Sequence, residues 1–193
     1  MEYNRSKKEI LMKEKILNDL DKFVLDFIRI LKKHSDYVII SDYVSILLGR
    51  TRATEDIDLF IRPLDFNHFS ELYQDLLKNN FWCINAEDSG EIFDYLKNMS
   101  AVRFARKGQI APNFEVKFTK RSVDKEAFED SIRVILSSGE LIISSLERHI
   151  AFKRYYLKSE KDIEDALHVE QIFKENLDYS KINKMKDILE NLR

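Results

Sequence analysis

Residues 41–60 read SDYVSILLGRTRATEDIDLF: a polar pair, an apolar run, a glycine, then two aspartates one residue apart. The residues just before, YVII at 37–40, form the short, continuously apolar run of a strand buried on both faces. A helix is expected to follow through Val44 to Leu48 and to end at Gly49, whose missing Cβ suits a left-handed C-terminal turn. DIDLFI at 56–61 alternates until its apolar end and is closed by Pro63, which predicts a second strand. Strand positions i and i+2 project to one face, so Asp56 and Asp58 stand side by side. Parallel carboxylates repel unless something positive lies between them, and a divalent cation with hard oxygen ligands, Mg²⁺ (or Mn²⁺), meets that need.

A third carboxylate comes from NFEVKF at 113–118. Phe114, Val116 and Phe118 share one face of that strand and Glu115 lies on the other, giving a two-plus-one set suited to two metal ions. Spacing alone fits a solvated strand edge as well. The four histidines, His34, His68, His149 and His168, are scattered without ligand spacing and read as surface or satisfied side chains.

Outward from this centre the pattern alternates helices and short strands. Apolar residues recur at helical spacing over residues 6–33, predicting one or two amphipathic helices. Asp65 or Asn67 can cap a helix to about Asn79, residues 81–85 are expected as a short strand, and residues 89–98 as a helix. Residues 101–106 and 113–118 read as paired strands with a turn at Lys107-Gly108. Two shorter strands are expected at 132–136 and 140–143. Ser144 with Glu147, and Ser159 with Asp162, are capping-box patterns opening helices to Tyr156 and Phe173, and a last helix covers residues 179–192. The class is α+β, a mixed α/β sheet flanked by helices.

With 32 Lys and Arg against 34 Asp and Glu in 193 residues, the net charge of −2 supplies no global field for a polyanion. The basic residues Arg5, Lys7, Lys8, Lys13 and Lys15 are diluted by Glu2, Glu9, Glu14 and Asp19, so a solvated face is the better reading than a nucleic-acid contact. Only four glycines and two prolines argue for ordered elements joined by short turns. Cys83 is the sole cysteine, which excludes an internal disulfide and a cysteine-based zinc site. No apolar run reaches membrane-spanning length, and a cytoplasmic location without membrane contact is expected.

The blocks quoted above resemble the polymerase-β-like nucleotidyltransferase superfamily, in particular its small prokaryotic branch of abortive-infection and toxin-antitoxin proteins. There a strand ends in Gly-Gly or Gly-Ser, a helix follows, and a glycine and Arg-x-Thr lead into an Asp-x-Asp strand. Ser41 and Asp42, then Gly49, Arg52, Thr54, Asp56 and Asp58, occupy those places. SSLERHIAFKRYYLKSEKDIEDAL, residues 144–167, resembles the family's lysine-bearing helix and the Lys/Arg-Asp-x-x-Asp helix after it, with Lys153, Lys161, Asp162 and Asp165 in place.

Periodicity gives an N-terminal helical segment at 1–35 packed on the core, and the resemblance, which covers most of residues 37–170, implies a nucleotidyltransferase-like core at 36–143 followed by a helical C-terminal region at 144–193. It implies Asp56 and Asp58 as metal ligands, with Glu115 replacing the usual third aspartate that assists deprotonation of the acceptor. It implies Ser41, Asp42, Arg52, Thr54 and Lys153 around a nucleoside triphosphate. Within that set, Arg52 either contacts phosphate or ties the loop to a carboxylate, and Thr54 reads as a structural hydroxyl. Lys161, Asp162 and Asp165 read better as an internal ion-pair network. The expected reaction moves a nucleoside monophosphate from the triphosphate to a hydroxyl on RNA, a protein or a small molecule. Ser41-Asp42 departs from the pattern, since a carboxylate near a triphosphate is repelled unless a metal ion or Arg52 neutralises it. The alternative is a catalytically inactive descendant acting as a binding or regulatory partner.

Overall fold

In the computed structural model, which describes residues 1–119 and 121–191, two short strands come first, β1 (Glu2–Asn4) and β2 (Glu9–Met12), followed by helix α1 (Asp19–Leu31). The helix expected over 6–33 is therefore confined to its second half. Backbone groups of β2 pair in parallel with strand β8 (Ile132–Leu136), and a sheet edge of this kind offers residues 9–12 hydrogen bonds that outweigh their helical spacing. The helix starts where Asn18 caps it: its side chain accepts from the Asp21 N–H while Asp21 accepts from the Asn18 N–H.

The chain then runs through β3 (Tyr37–Ile39), α2 (Asp42–Leu47), β4 (Asp56–Ile61), α3 (Phe66–Lys78), β5 (Phe81–Cys83), α4 (Ser89–Lys97), β6 (Val102–Arg106), β7 (Asn113–Phe118) and α5 (Ser122–Glu129). After β8 come β9 (Gly139–Ile143), α6 (Leu146–Ala151), a π-helical turn (Phe152–Leu157), α7 (Glu160–Phe173) and α8 (Tyr179–Glu190). The nine strands among the described residues form one mixed sheet in the order β1-β2-β8-β9-β3-β4-β7-β6-β5. The class is α+β, as the alternation of patterns predicts. No helix among the described residues is long and apolar enough to cross a membrane.

Several local expectations hold for the stated reasons. Gly49 adopts φ 105°, Asp65 caps α3 by accepting from the His68 N–H, and Ser159 with Asp162 forms a capping box on α7. Cys83 is buried in the core. The cap of α6 is displaced by one residue from expectation, because Ser145 rather than Ser144 accepts from the Arg148 N–H. Ser144 instead ends the sheet, its N–H donating to the Ile39 carbonyl. The last helix ends at Glu190, and the expected end at residue 192 lies outside the described residues.

The core behind β4 and β7 sets the rigidity of the central strands. Ile57 and Leu59 pair in register with Phe114 and Val116, all four are buried, and Phe23 and Phe27 of α1 stack on Phe114. The opposite face of the same strands carries Asp56, Asp58, Asn113, Glu115 and Lys117. A one-residue slip of either strand would exchange the two sets, which fixes the register and with it the positions of the carboxylates.

Candidate functional site

Parallel pairing of β4 with β7 places Asp56 opposite Asn113, Asp58 opposite Glu115, and Phe60 opposite Lys117. Antiparallel pairing of β6 adds Arg103 opposite Glu115. Asn113 Nδ2 donates to Asp56 Oδ1 at 2.8 Å, holding that carboxylate in one orientation. Lys117 Nζ stands 3.2 Å from Asp58 Oδ1 and 2.5 Å from Glu115 Oε1, so the ammonium bridges the two strands. Arg103 Nη2 donates to Glu115 Oε2 at 3.0 Å. Burial pushes the Asp58 carboxyl up and neighbouring Glu115 adds to this, against the pull of Lys117. Glu115 is held low in spite of its burial, by Lys117 and Arg103.

Three carboxylates against two cations leave this face with surplus negative charge, and oxygen ligands of this type suit Mg²⁺. The donor set therefore fits a divalent ion, with Lys117 now supplying part of the positive charge. The three side chains do not close on a common point. Among the described residues, the group of three acidic side chains with ligand oxygens within 4.8 Å of one another is Asp42, Asp162 and Asp165.

That second group does not fit a metal, because Lys153 fills it. Its ammonium, only 1 % exposed, contacts Asp162 at 2.7 Å, Asp165 at 3.1 Å and Asp42. Arg52 Nη2 reaches Asp42 at 2.9 Å and Asp165 at 2.7 Å, and Lys161 Nζ reaches Asp42 at 3.2 Å. Three carboxylates thus face Lys153, Arg52 and Lys161, with Arg50 Nε also 3.4 Å from Asp165. Burial raises the Asp42 carboxyl, but Lys153 and Arg52 outweigh it and hold it well below the carboxylate range. Burial lowers the Lys153 ammonium, and Asp162 and Asp42 more than restore it.

Local structure explains how this network forms. Ser41 precedes α2 at φ 61° and ψ −140°, a backbone conformation that favours glycine and costs a residue with a Cβ roughly 1–3 kcal/mol. It aims Asp42 toward α7 and the turn carrying Lys153. Thr54 Oγ1 donates to the Asp56 carbonyl at 3.0 Å, fixing the entry to β4, and Arg52 ties its loop to carboxylates.

Beside Lys153, the buried His149 imidazole shares a 2.8 Å hydrogen bond with Ser45 Oγ. Burial first, then the Lys153 charge, pushes its pKa from 6.5 down to about 3. Between those values the unfolded chain binds a proton that the folded chain refuses, so stability rises with pH through that window. We expect urea denaturation to show stability falling by up to about 1.4 kcal/mol per unit as pH drops below 6.5. His149→Gln should flatten that slope, and an unchanged slope would show that another group is responsible.

Sequence reasoning named Asp56, Asp58 and Glu115, and the structure places them on one face. It passed over Lys117, Asn113 and Arg103, although the alternation of NFEVKF already puts Asn113 and Lys117 beside Glu115. A cavity of about 330 Å³ joins the two clusters, lined among others by Ser41, Asp58, Lys117 and Lys153.

The chain's sequence matches no family profile and no curated protein. Solved structures do resemble it. An antigenic nucleotidyltransferase-like protein from Paracoccidioides brasiliensis superposes with a TM-score of 0.54 at 17% identity, covering 92% of this chain and 90% of that one. The antibiotic-resistance factor ANT(2'')-Ia superposes with a TM-score of 0.57 at 13% identity, covering 88% and 90%. The fold is nucleotidyltransferase-like. In that frame the Asp56 and Asp58 strand lies inside the sheet, between β3 and β7, and Lys153 lines the same cavity as Asp58.

Proposed function

We propose that the protein is a metal-dependent nucleotidyltransferase that moves a nucleoside monophosphate from a triphosphate to a hydroxyl on RNA, a protein or a small molecule. The observation that carries this reading is the register of β4 and β7, which sets Asp58 beside Glu115, on the same face as Asp56, at the cavity wall. Asp56 and Asp58 would hold Mg²⁺ or Mn²⁺, which when bound neutralises charge on the transferring phosphate and acidifies the attacking hydroxyl. Glu115, kept ionised by Lys117 and Arg103, takes the proton of the acceptor hydroxyl. Lys153 balances charge on the leaving pyrophosphate once it exchanges Asp42 for phosphate oxygen. The spacing of the glycine, Arg-x-Thr and Asp-x-Asp positions supports the small prokaryotic branch, including its toxin-antitoxin members.

A second reading, a catalytically inactive binding or regulatory protein, is favoured by one feature. Lys153, Arg52 and Lys161 are all engaged by Asp42 and its neighbours, so the cations that a triphosphate needs are already neutralised. Titration with the four ribonucleoside triphosphates and Mg²⁺ or Mn²⁺, with labelled-nucleotide incorporation, separates the two. Incorporation into any acceptor supports transfer, and binding of none of the four supports the inactive reading. Asp42→Ser removes the competing carboxylate and is expected to tighten triphosphate binding by about tenfold, the effect of one charge-assisted contact.

A further inference from the structure

In NFEVKF the residue two positions after Glu115 is a lysine, and strand alternation puts its side chain on the carboxylate face. That lysine decides how the carboxylates of β4 and β7 are shared. Lys117 Nζ lies 3.2 Å from Asp58 Oδ1 and 2.5 Å from Glu115 Oε1, so one ammonium spans the two strands. Arg103 takes the other oxygen of Glu115, with Nη2 at 3.0 Å and Nε at 3.3 Å from Oε2. Both oxygens of Glu115 therefore carry a cationic partner. Asp56 Oδ1 accepts from Asn113 and Asp58 Oδ1 from Lys117, whereas no described residue donates a hydrogen bond to Oδ2 of either aspartate.

A divalent ion shared by Asp58 and Glu115 would need the position that Lys117 holds. Magnesium binds carboxylate oxygen at about 2.0–2.1 Å, so such an ion and an ammonium in contact with the same two oxygens exclude each other. Charge points the same way. Three carboxylates with two divalent ions carry one net positive charge, and the same three with Lys117, Arg103 and one divalent ion carry the same. A second ion added to Lys117 and Arg103 would leave three positive charges uncompensated at one face. The arrangement is also within reach of solvent: Asp58 and Lys117 both line the cavity, and their side chains are 22% and 34% exposed.

We propose that Lys117, helped by Arg103, takes the place of the ion that Asp58 and Glu115 would otherwise share, leaving Asp56 and Asp58 to hold a single divalent cation. The inference rests on the proposed metal-dependent reading and fixes its ion count. Mn²⁺ alone, without nucleotide, tests it on the full chain. Bound ions are counted by electron paramagnetic resonance above the background of the Asp56→Ala, Asp58→Ala variant. The parent is expected to hold one Mn²⁺ with the spectrum of an isolated ion. Lys117→Met, which keeps the aliphatic stem and removes the ammonium, should take up one more, and two ions about 3.5–4 Å apart give a spin-coupled spectrum. Lys117→Gln, which keeps a donor to the carboxylates without the charge, repeats the test where the methionine variant does not fold. Equal counts on parent and variant, or two ions on the parent, overturn the proposal. No ion on the parent removes the metal-dependent reading, whether or not the variant gains one, so the difference between the proteins and the parent's own count can fail separately.

Discussion

On the proposed transferase reading, replacing Asp58 with asparagine is expected to lower nucleotidyl transfer about a thousandfold or more, because a divalent ion held there would contribute several kcal/mol of charge stabilisation and would lose a charged ligand. The change is nearly isosteric, and Lys117 keeps its partner Glu115, so folding should survive. Stability should even gain slightly, since the Asp58 carboxyl is raised by burial and by Glu115. Asp56→Ala with Asp58→Ala should in addition abolish measurable Mg²⁺ or Mn²⁺ binding by calorimetry. Unchanged metal affinity in that double variant, or transfer by Asp58→Asn within about threefold of the parent, would sink the assignment of these carboxylates.

Lys153→Met should cost about 3–5 kcal/mol of folding stability, the penalty for leaving buried charge without its partner. Methionine keeps the length and apolar stem of the side chain, so the loss isolates the ammonium. Asp165 is fully buried and Asp162 is 5% exposed, and both lose their contact with Nζ. Urea denaturation would measure the loss. Adding Asp162→Asn should recover part of it, because one uncompensated carboxylate has then been removed. The carboxylates of Asp42, Asp162 and Asp165 are all held low, so the stability they contribute is present above their ordinary value of 3.8 and lost as pH falls below it. That window lies below most of the His149 range, which keeps the two effects separable. A loss under about 1 kcal/mol would show that Arg52, Arg50 and Lys161 satisfy the carboxylates without Lys153.

These two centres differ in how far they could be read from residues alone. Strand alternation is a local property, so DIDLFI and NFEVKF already state which side chains share a face. The caps at Asp65 and Ser159 and the turn at Gly49 are equally local, each depending on a few neighbouring backbone groups. The N-terminal strands were not legible in this way, because β2 forms against an edge supplied by β8, more than a hundred residues later. The one-residue displacement of the α6 cap has the same origin, since Ser144 is drawn into pairing with β3.

The sequence by itself determined the α+β class, the carboxylate face of β4 and the unusual Ser41-Asp42 pair before α2. Only the tertiary structure decided what those groups meet: Lys117 between Asp58 and Glu115, and Lys153 enclosed by Asp42, Asp162 and Asp165. Periodicity sets the direction of a side chain relative to its own backbone. The partner of a buried charge is set by which distant elements pack against it, and no local pattern carries that information.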